Sequence, residues 1–510
     1  MMEVQKDQKK INIILGCVAL MILTSLPLLT DFLMVGTKLY QQLSRVEALV
    51  EGIKQFGITM WAKPDWIDPA GLSFAHQYGD TFLYVAVVLR MLGFSVQAAF
   101  RGMLILINVI TVLVAYYSFK RIWKDAYTGL LGAAVYCTAI YRCALLYAET
   151  ELGEVLAFLF LPLVIAGACE LFGFTKDATV KGGNVTGKDG NAKVDAGKKE
   201  NRKVPGWFLL ALGMSGVLHS QIFAFVVPCI ALIVFLLISF RKWKEISLWK
   251  DLGKAALSFV IWNIAYLYTA LYYVKSGQFI LNPFNGQMIQ EKGLQIAQMF
   301  MGFYQGGPSH DFGTAGITGA APIGLGIVML AGIIAFLYLL VIYGEKVDGQ
   351  EKKGGLALLI VGAIFVWGSL LCFPWDAIVR TVPGLAGILS AMQAPWHLLL
   401  VPTVLFAMLI CLTYQVIKRN WAEYSRYYGM GMFMLTILCS GYLLANLLFT
   451  MDFVRSYTIE EVISYGAATG SVIAGYAGTS WYLLQGISLI AFLGTIIMVL
   501  RIGRKKEEAA

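Results

Sequence analysis

The feature that most constrains this chain is a series of about twelve long apolar stretches separated by polar breaks, the first at 11–29 and the last at 481–500. A run of about 18 apolar residues is long enough to cross the hydrocarbon core as a helix. In lipid, only a helix or a closed barrel satisfies its own backbone hydrogen bonds. The sequence therefore predicts an all-α fold, a polytopic membrane bundle of about twelve transmembrane helices that forms one domain over residues 1–510.

The positions of lysine and arginine predict how the chain is threaded. Six basic clusters can all face the cytoplasm under one threading only, which places both termini inside, as the positive-inside rule requires. The spans of this threading are 11–29, 97–118, 126–141, 152–172, 207–218, 222–240, 254–274, 321–343, 355–373, 396–416, 428–448 and 481–500. The clusters are Lys9-Lys10, Lys120-Arg121-Lys124, Arg241-Lys242-Lys244, Lys346-Lys352-Lys353, Lys418-Arg419 and Arg501-Arg504-Lys505-Lys506. The net charge of +9 thus indicates orientation in a membrane, and no nucleic-acid partner is expected.

Four segments between the spans have compositions of their own. The outer loop 31–96 is predicted to carry two surface helices: 37–56, which is amphipathic, and 81–94, which is short and interrupted by Arg90. Two further outer loops cover 275–320 and 450–480. The segment 174–206 is rich in Lys, Gly, Asn and Asp and has almost no large apolar residue, so it is predicted to be a disordered cytoplasmic insertion.

Several kinds of site are excluded by what the sequence lacks. The eight cysteines form no CxxC pair and no dense cluster, which argues against a disulfide framework or a zinc knuckle. The chain has no phosphate-binding P-loop, no HExxH helix and no Gly-x-Ser-x-Gly elbow. ATP-driven transport and the common hydrolases are therefore disfavoured, no metal site is expected, and the sequence identifies no cofactor.

Acidic residues and histidines collect on the predicted outer face. Glu149, Glu151 and Glu154 precede or begin the fourth span, where an ionisable group is costly unless it is paired or functional. Arg142 lies a few residues before them, so a structural Arg142–Glu154 ion pair is an alternative to a catalytic role. Asp31, at the end of the first span, is the reserve acid.

Several motifs resemble one family of bacterial integral membrane proteins, the pyruvoyl-tetrahydropterin-synthase-related proteins. The resemblance rests on Tyr-Gly-Asp-Thr-Phe-Leu-Tyr at 78–84, Leu-Arg-Met-Leu-Gly-Phe-Ser-Val-Gln at 89–97, Asn108, Tyr116-Tyr117, Tyr141-Arg142, Gly153-Glu154, Phe-Leu-Pro-Leu at 160–163, Leu218-His219-Ser220 and Gln-Ala-Pro-Trp-His at 393–397. That family is similar to the C-type (GT-C) glycosyltransferases, whose first outer loop carries surface helices and a catalytic acid. The resemblance implies a GT-C-like fold in the bacterial cytoplasmic membrane.

The chain departs from the family pattern at polar positions. Lys38 stands where the family has an acid in the first loop, Gln42 replaces a histidine, and both Glu149 and His397 replace arginines. A lysine cannot take over the role of a carboxylate base. Two hypotheses remain: the site was rebuilt around Glu149 or Glu151, or the chain kept the fold and lost the reaction.

The leading functional hypothesis is a GT-C-like glycosyltransferase that uses a polyprenyl-phosphate-linked sugar at the outer face to modify envelope glycans or lipids. Its partners would be membrane lipid and that sugar donor. The candidate catalytic acids are Glu149, Glu151, Glu154 and Asp31, and one of them would deprotonate the acceptor hydroxyl. The candidate substrate-binding residues are Arg45, Arg90, Arg101, Arg142, His219 and His397, whose arginines suit a phosphate. The alternatives are a catalytically inactive binding or assembly subunit and a lipid or sugar transporter or flippase.

The threading predicts the outcome of cysteine labelling on intact cells. With an impermeant thiol reagent added outside, we expect Asp65→Cys to be labelled and Lys188→Cys to be protected, because the first lies in the outer loop and the second in the cytoplasmic insertion. Strong labelling at Lys188→Cys together with none at Asp65→Cys would contradict the threading.

Overall fold

A computed structural model describes residues 2–56, 81–174, 204–276, 289–300, 322–382, 394–454 and 479–508. These segments are almost entirely helical, which confirms the predicted all-α membrane fold. Most of the predicted insertion 174–206 and most of the loops 275–320 and 450–480 lie outside the described residues.

The helices follow the order of the apolar stretches. The first half contains α1 (Met2–Ser25), α2 (Leu39–Phe56), α3 (Tyr84–Met91), α4 (Val96–Trp123), α5 (Ala126–Cys137), α6 (Ile140–Ala144), α7 (Leu152–Leu171), α8 (Gly206–Ser220) and α9 (Ile222–Ile238). The second half contains α10 (Ile246–Trp262), α11 (Ile264–Ser276), α12 (Gly326–Ile342), α13 (Gly349–Ser369), α14 (Trp375–Thr381), α15 (Leu400–Asn420), α16 (Ala422–Thr450) and α17 (Thr479–Glu508).

The predicted number of about twelve spans is not confirmed. Within the described residues, seven helices are long and apolar enough to cross a membrane, or eight if the bent segment formed by Ala126–Cys137 and Ile140–Glu149 is one span. The helices α8, α9 and α12 are apolar but have only 15, 17 and 17 residues. At about 1.5 Å per residue they fall short of a hydrocarbon core about 30 Å thick.

The core of the bundle lies around α7 and α15. Both helices are buried along most of their length, whereas only 11% of the apolar window in 483–502 is buried. Exposed leucine and isoleucine on that last segment are compatible with lipid, because the hydrocarbon core is as apolar as they are. The helix α7 packs most extensively on α8. The first loop is joined to the end of α16 by a short antiparallel pair of strands, β1 (Leu33–Met34) and β2 (Phe453–Val454).

The first loop contains the two predicted helices, with one difference. The helix α2 is present at 39–56, but its polar residues Gln42, Ser44, Arg45 and Glu47 are buried in the protein instead of facing water. There Arg45 donates to the Gln42 side-chain oxygen, the Ser44 hydroxyl donates to the Gln41 carbonyl, and Arg90 donates to Glu47. The helix α3 has eight residues, about 12 Å in length, so it does not cross the bilayer.

At the opposite end of the bundle, Asp125 is the N-cap residue of α5. Its carboxylate accepts hydrogen bonds from the backbone and the hydroxyl of Thr128 and forms an ion pair with Lys418 of α15. Burial raises the pKa of Asp125, but the bonds from Thr128 and Lys418 outweigh that effect and lower the pKa below the ordinary 3.8. Because the pKa of Asp125 is lower in the fold than its ordinary value of 3.8, the ionised carboxylate stabilises the fold at pH values above 3.8. This contribution is lost as the pH falls through the folded-state pKa.

The close packing of α7 on α8 leads to a prediction about Gly167. A Cβ at this position would lie 2.6 Å from the Leu210 backbone nitrogen and 2.7 Å from the Gly206 carbonyl oxygen. Backbone atoms cannot move aside without shifting a helix, so we expect Gly167→Ala to destabilise the protein by about 1–3 kcal/mol. Gly253→Ala is the control, because nothing lies within 4 Å of a Cβ there. Thermal unfolding of both detergent-solubilised variants tests this, and equal stability would contradict the packing.

Candidate functional site

The candidate site is built around a break in the span that follows α4. The helix α5 ends at Cys137, and a bend of 47° separates it from the segment Ile140–Glu149. That segment ends in one turn of π-helix, Leu145–Glu149, a distortion that is frequent at functional sites. Thr150 then takes a left-handed conformation with φ +51° before α7 begins at Leu152. This turn gathers Glu149, Glu151 and Glu154 at one end of the bundle.

Arg142 holds the break together. Its guanidinium donates to the Cys137 carbonyl at 2.9 Å and to the Asn108 side chain at 2.6 Å. Asn108 in turn donates to the Thr24 carbonyl at 2.9 Å and to the Ser25 hydroxyl at 3.2 Å, at the end of α1. The carbonyl of Cys137 is left without a helical partner by the break, so Arg142 satisfies a group that is costly to bury. The anticipated Arg142–Glu154 ion pair is absent, because both side chains are engaged elsewhere.

Glu154 is bonded to an aromatic pair on two other elements. The Tyr141 hydroxyl donates to one carboxylate oxygen at 2.5 Å, and Nδ1 of His397 bonds the other. His397 lies in the 3-10 turn Pro395–Leu399 that leads into α15, and its ring centroid is 3.7 Å from that of Trp396, with the two planes tilted by 35°. All three bonded side chains are buried. When Glu154 is ionised it can only accept, so Nδ1 carries the proton and Nε2 of a neutral His397 is left as an acceptor.

Lys38 connects the first loop to the acidic turn. Its ammonium forms an ion pair with the buried carboxylate of Glu151. The backbones are joined as well, since Thr37 N donates to the Ala148 carbonyl at 3.1 Å and Lys38 N donates to the Glu149 carbonyl at 2.9 Å. A side chain at Gly36 would collide with Thr150, so glycine permits this close approach. Lys38 is therefore the partner of Glu151, one of the candidate acids.

The remaining candidates lie outside this cluster. Arg90 pairs with Glu47 at 2.6 Å and donates to the Phe94 carbonyl at 3.1 Å, whereas Arg101 donates to the Thr30 carbonyl. Arg45 is buried in α2, and Asp31 is exposed beside Thr30. His219 is near the junction of α8 and α9, where Nδ1 bonds the Thr81 hydroxyl at 3.0 Å and the ring packs on Tyr266. No bond or ion pair joins His219 to the glutamates.

The structure thus brings together four predicted site residues: Glu149, Glu151, Glu154 and His397. Three further residues of the site, Lys38, Tyr141 and Asn108, were not among the predicted site residues, although Tyr141 and Asn108 lie in the motifs quoted from the sequence. The sequence signal for Tyr141 is its position beside Arg142 in an apolar stretch, because a tyrosine hydroxyl that is buried there requires a hydrogen-bond partner. No group of three or more histidine, cysteine or acidic side chains within the described ranges could hold a metal ion.

No protein-family model matches the sequence and no curated protein is similar to it, so the resemblance to the pyruvoyl-tetrahydropterin-synthase-related proteins is not confirmed in this way. Among solved structures, the chain is similar to arabinofuranosyltransferase AftD from Mycobacteria, with TM-score 0.47 and 10% identity over 88% of this chain. It is also similar to the oligosaccharyltransferase of Archaeoglobus fulgidus, with TM-score 0.42 and 12% identity over 92%.

A third similar structure is ArnT from Cupriavidus metallidurans bound to undecaprenyl phosphate, with TM-score 0.40 and 14% identity over 94% of this chain. The chain spans 27% of AftD, 56% of the oligosaccharyltransferase and 76% of ArnT. TM-scores below 0.5 at such identities do not establish a shared fold. The chain is therefore a multi-pass helical membrane protein whose family is not assigned by these similarities.

The ion pair between Lys38 and Glu151 is open to a charge-reversal test. Lys38→Met leaves a buried carboxylate without its ammonium, so we expect a loss of roughly 3–5 kcal/mol in unfolding free energy or a matching fall in abundance. Lys38→Glu should cost more, because two carboxylates then face each other. Combining Lys38→Glu with Glu151→Lys should recover part of the loss. Thermal unfolding of the wild type, these three variants and the single variant Glu151→Lys measures this, and a double variant no more stable than its less stable parent would contradict the pairing.

Proposed function

We propose that this protein is a GT-C-like glycosyltransferase of the bacterial cytoplasmic membrane. It acts on a polyprenyl-phosphate-linked sugar at the outer face and modifies an envelope glycan or lipid. The observation that carries the proposal is the buried Glu154–His397 dyad at one end of the bundle, beside the first loop. The orientation rests on the basic clusters, which place both termini and the segment 174–206 in the cytoplasm.

The dyad supplies the base that this transfer requires. As the acceptor oxygen bonds to the anomeric carbon, the bond from that carbon to the phosphate oxygen breaks and the polyprenyl phosphate leaves with the electron pair. The acceptor hydroxyl must give up its proton in the same step. Glu154 fixes the His397 ring through Nδ1 and stabilises the imidazolium that forms when Nε2 takes the proton, as a carboxylate does in hydrolase triads. Glu149 and Glu151 are the alternative bases.

The phosphate would be held by the cations that reach the surface of the first loop. Lys38 and Arg90 are each one-quarter exposed, although both are paired with a glutamate. Arg142 is buried, and its terminal nitrogens are occupied by Cys137 and Asn108. We therefore assign phosphate binding to Lys38 and Arg90, with Arg45 and Arg101 as further candidates, and a structural role to Arg142.

A second candidate function is a binding or assembly subunit without catalysis. It is favoured by the burial of Glu149, Glu151 and Glu154, which are each at most 1% exposed. A carboxylate enclosed by protein partners stabilises a fold as readily as it serves a reaction. A transporter or flippase is favoured by another observation, the broken span at Cys137 with a buried arginine beside it, since discontinuous helices form transporter sites.

Envelope chemistry in a deletion strain distinguishes these functions. If the protein is the transferase, its deletion should lead to accumulation of a polyprenyl-phosphate-linked sugar, detected by mass spectrometry of extracted lipids, and to loss of the matching modification. The wild-type gene should reverse both changes. No change in either the carrier lipids or the envelope glycans would contradict the proposal.

Complementation with single variants then tests the dyad. We expect His397→Gln to reduce turnover of the accumulated lipid by about 10²-fold or more, since a general base contributes that much. Glu149→Gln and Glu151→Gln, made separately, test the alternative bases, and Glu154→Gln tests the orienting carboxylate. Protein abundance is measured beside each. Loss of activity at normal abundance supports catalysis, whereas loss of both indicates a structural residue. Full activity of all four variants would leave the binding-subunit function as the better explanation.

A further inference from the structure

The connection between α9 and α10 is unusually rich in exposed aromatic and basic side chains. We define it as the α9–α10 turn, residues 239–250, which contains the 3-10 helix Phe240–Lys244 and the first turn of α10. Phe240, Trp243, Ile246 and Trp249 are all exposed, from 41% for Trp243 to 70% for Ile246. Such residues are depleted at a surface that faces only water.

The two tryptophans are held in fixed positions. The Trp243 indole donates to the Leu236 carbonyl, and the Trp249 indole donates to the Trp243 carbonyl, both at 2.9 Å. Their rings meet edge to face with centroids 6.5 Å apart. Because each N–H is satisfied by backbone, the apolar ring faces remain available to lipid. Tryptophan is enriched at the boundary between hydrocarbon and head groups for this combination of properties.

The helices on both sides place the turn at that boundary. Exposed apolar side chains continue along α9 at Ile233 and Leu237 and along α10 at Leu257 and Val260, which gives both helices a face compatible with lipid. At the other end of α9, Phe223 contacts His397. The 17 residues of α9 span about 25 Å. The turn and the Glu154–His397 dyad therefore lie at opposite ends of the bundle.

The charge of the turn indicates what binds there. Arg241, Lys244 and Lys250 are exposed, and none has an acidic partner among the described residues. The acid within the turn is Glu245, and Lys242 is directed at Gly173 after the end of α7. A surface with unpaired cations beside membrane-anchoring tryptophans is complementary to an anionic lipid head group.

We propose that the α9–α10 turn binds an anionic glycerophospholipid, with the head-group phosphate on Arg241 and Lys244 and the acyl chains along Trp243 and Trp249. This site is independent of the proposed transferase activity, because it shares no residue with the acidic cluster. It would anchor α9 and α10 at the membrane face that carries the basic clusters.

The test uses the full-length protein in detergent with a defined lipid added. Melting temperature is followed during titration with phosphatidylglycerol, with phosphatidylcholine, and with inorganic phosphate. We expect phosphatidylglycerol to raise the melting temperature at lower concentration than the other two. Arg241→Gln combined with Lys244→Gln should weaken the apparent affinity for phosphatidylglycerol about tenfold or more, since each basic residue near the surface contributes to binding an anionic lipid.

Two controls make the result specific. The variant Lys352→Gln with Lys353→Gln removes a basic pair at the start of α13 and should leave the phosphatidylglycerol response unchanged. The exchange Arg241→Lys with Lys244→Arg keeps both charges and should retain binding, which guards against misfolding as the cause of a loss. Equal responses to phosphatidylglycerol and phosphatidylcholine, equal responses to phosphatidylglycerol and free phosphate, or an equal loss in the Lys352–Lys353 variant would each overturn the proposal.

Discussion

A buried guanidinium bridges the break between α5 and α6, and the arrangement of the candidate site depends on it. Inside a membrane bundle, a helix can stop only where other groups take over its backbone hydrogen bonds. Arg142 does this for Cys137 and, through Asn108, joins the break to the end of α1. The chain can then turn by 47° and present three glutamates within six residues. The acidic turn is fixed further by the backbone bonds from Thr37 and Lys38 and by the pairing of Glu151 with Lys38.

The charges around the acidic turn form a connected set. Lys38 of the first loop forms an ion pair with Glu151, and His397 of the turn before α15 is hydrogen-bonded to Glu154. Residues distant in sequence therefore meet at the acidic turn, where the buried carboxylates of Glu151 and Glu154 each face a basic side chain. An isolated lysine at position 38 would be difficult to explain, whereas a lysine that neutralises a buried carboxylate preserves the balance of charge.

The two ends of the bundle carry different sets of polar and charged side chains. One end holds buried acids and a histidine beneath the first loop. The other carries Asp125 paired with Lys418, together with the exposed aromatic and basic residues of the α9–α10 turn. Helices α7 and α8 lie between these ends. They pack closely where Gly167 approaches Leu210. A rigid connection is needed if a site must stay at a fixed depth in the bilayer.

The sequence by itself determined the class of fold, because apolar runs long enough to cross a bilayer leave the backbone few alternatives to helix. It also identified α2, the shortness of α3 and the cluster of Glu149, Glu151 and Glu154. Its count of about twelve spans is not confirmed, since apolar runs do not reveal that α8, α9 and α12 end after 15 to 17 residues. The pairs Lys38–Glu151, Tyr141–Glu154 and Glu154–His397 were decided only by the tertiary structure. Their members lie 13 to 243 positions apart, and no local periodicity encodes which distant cation meets which buried acid.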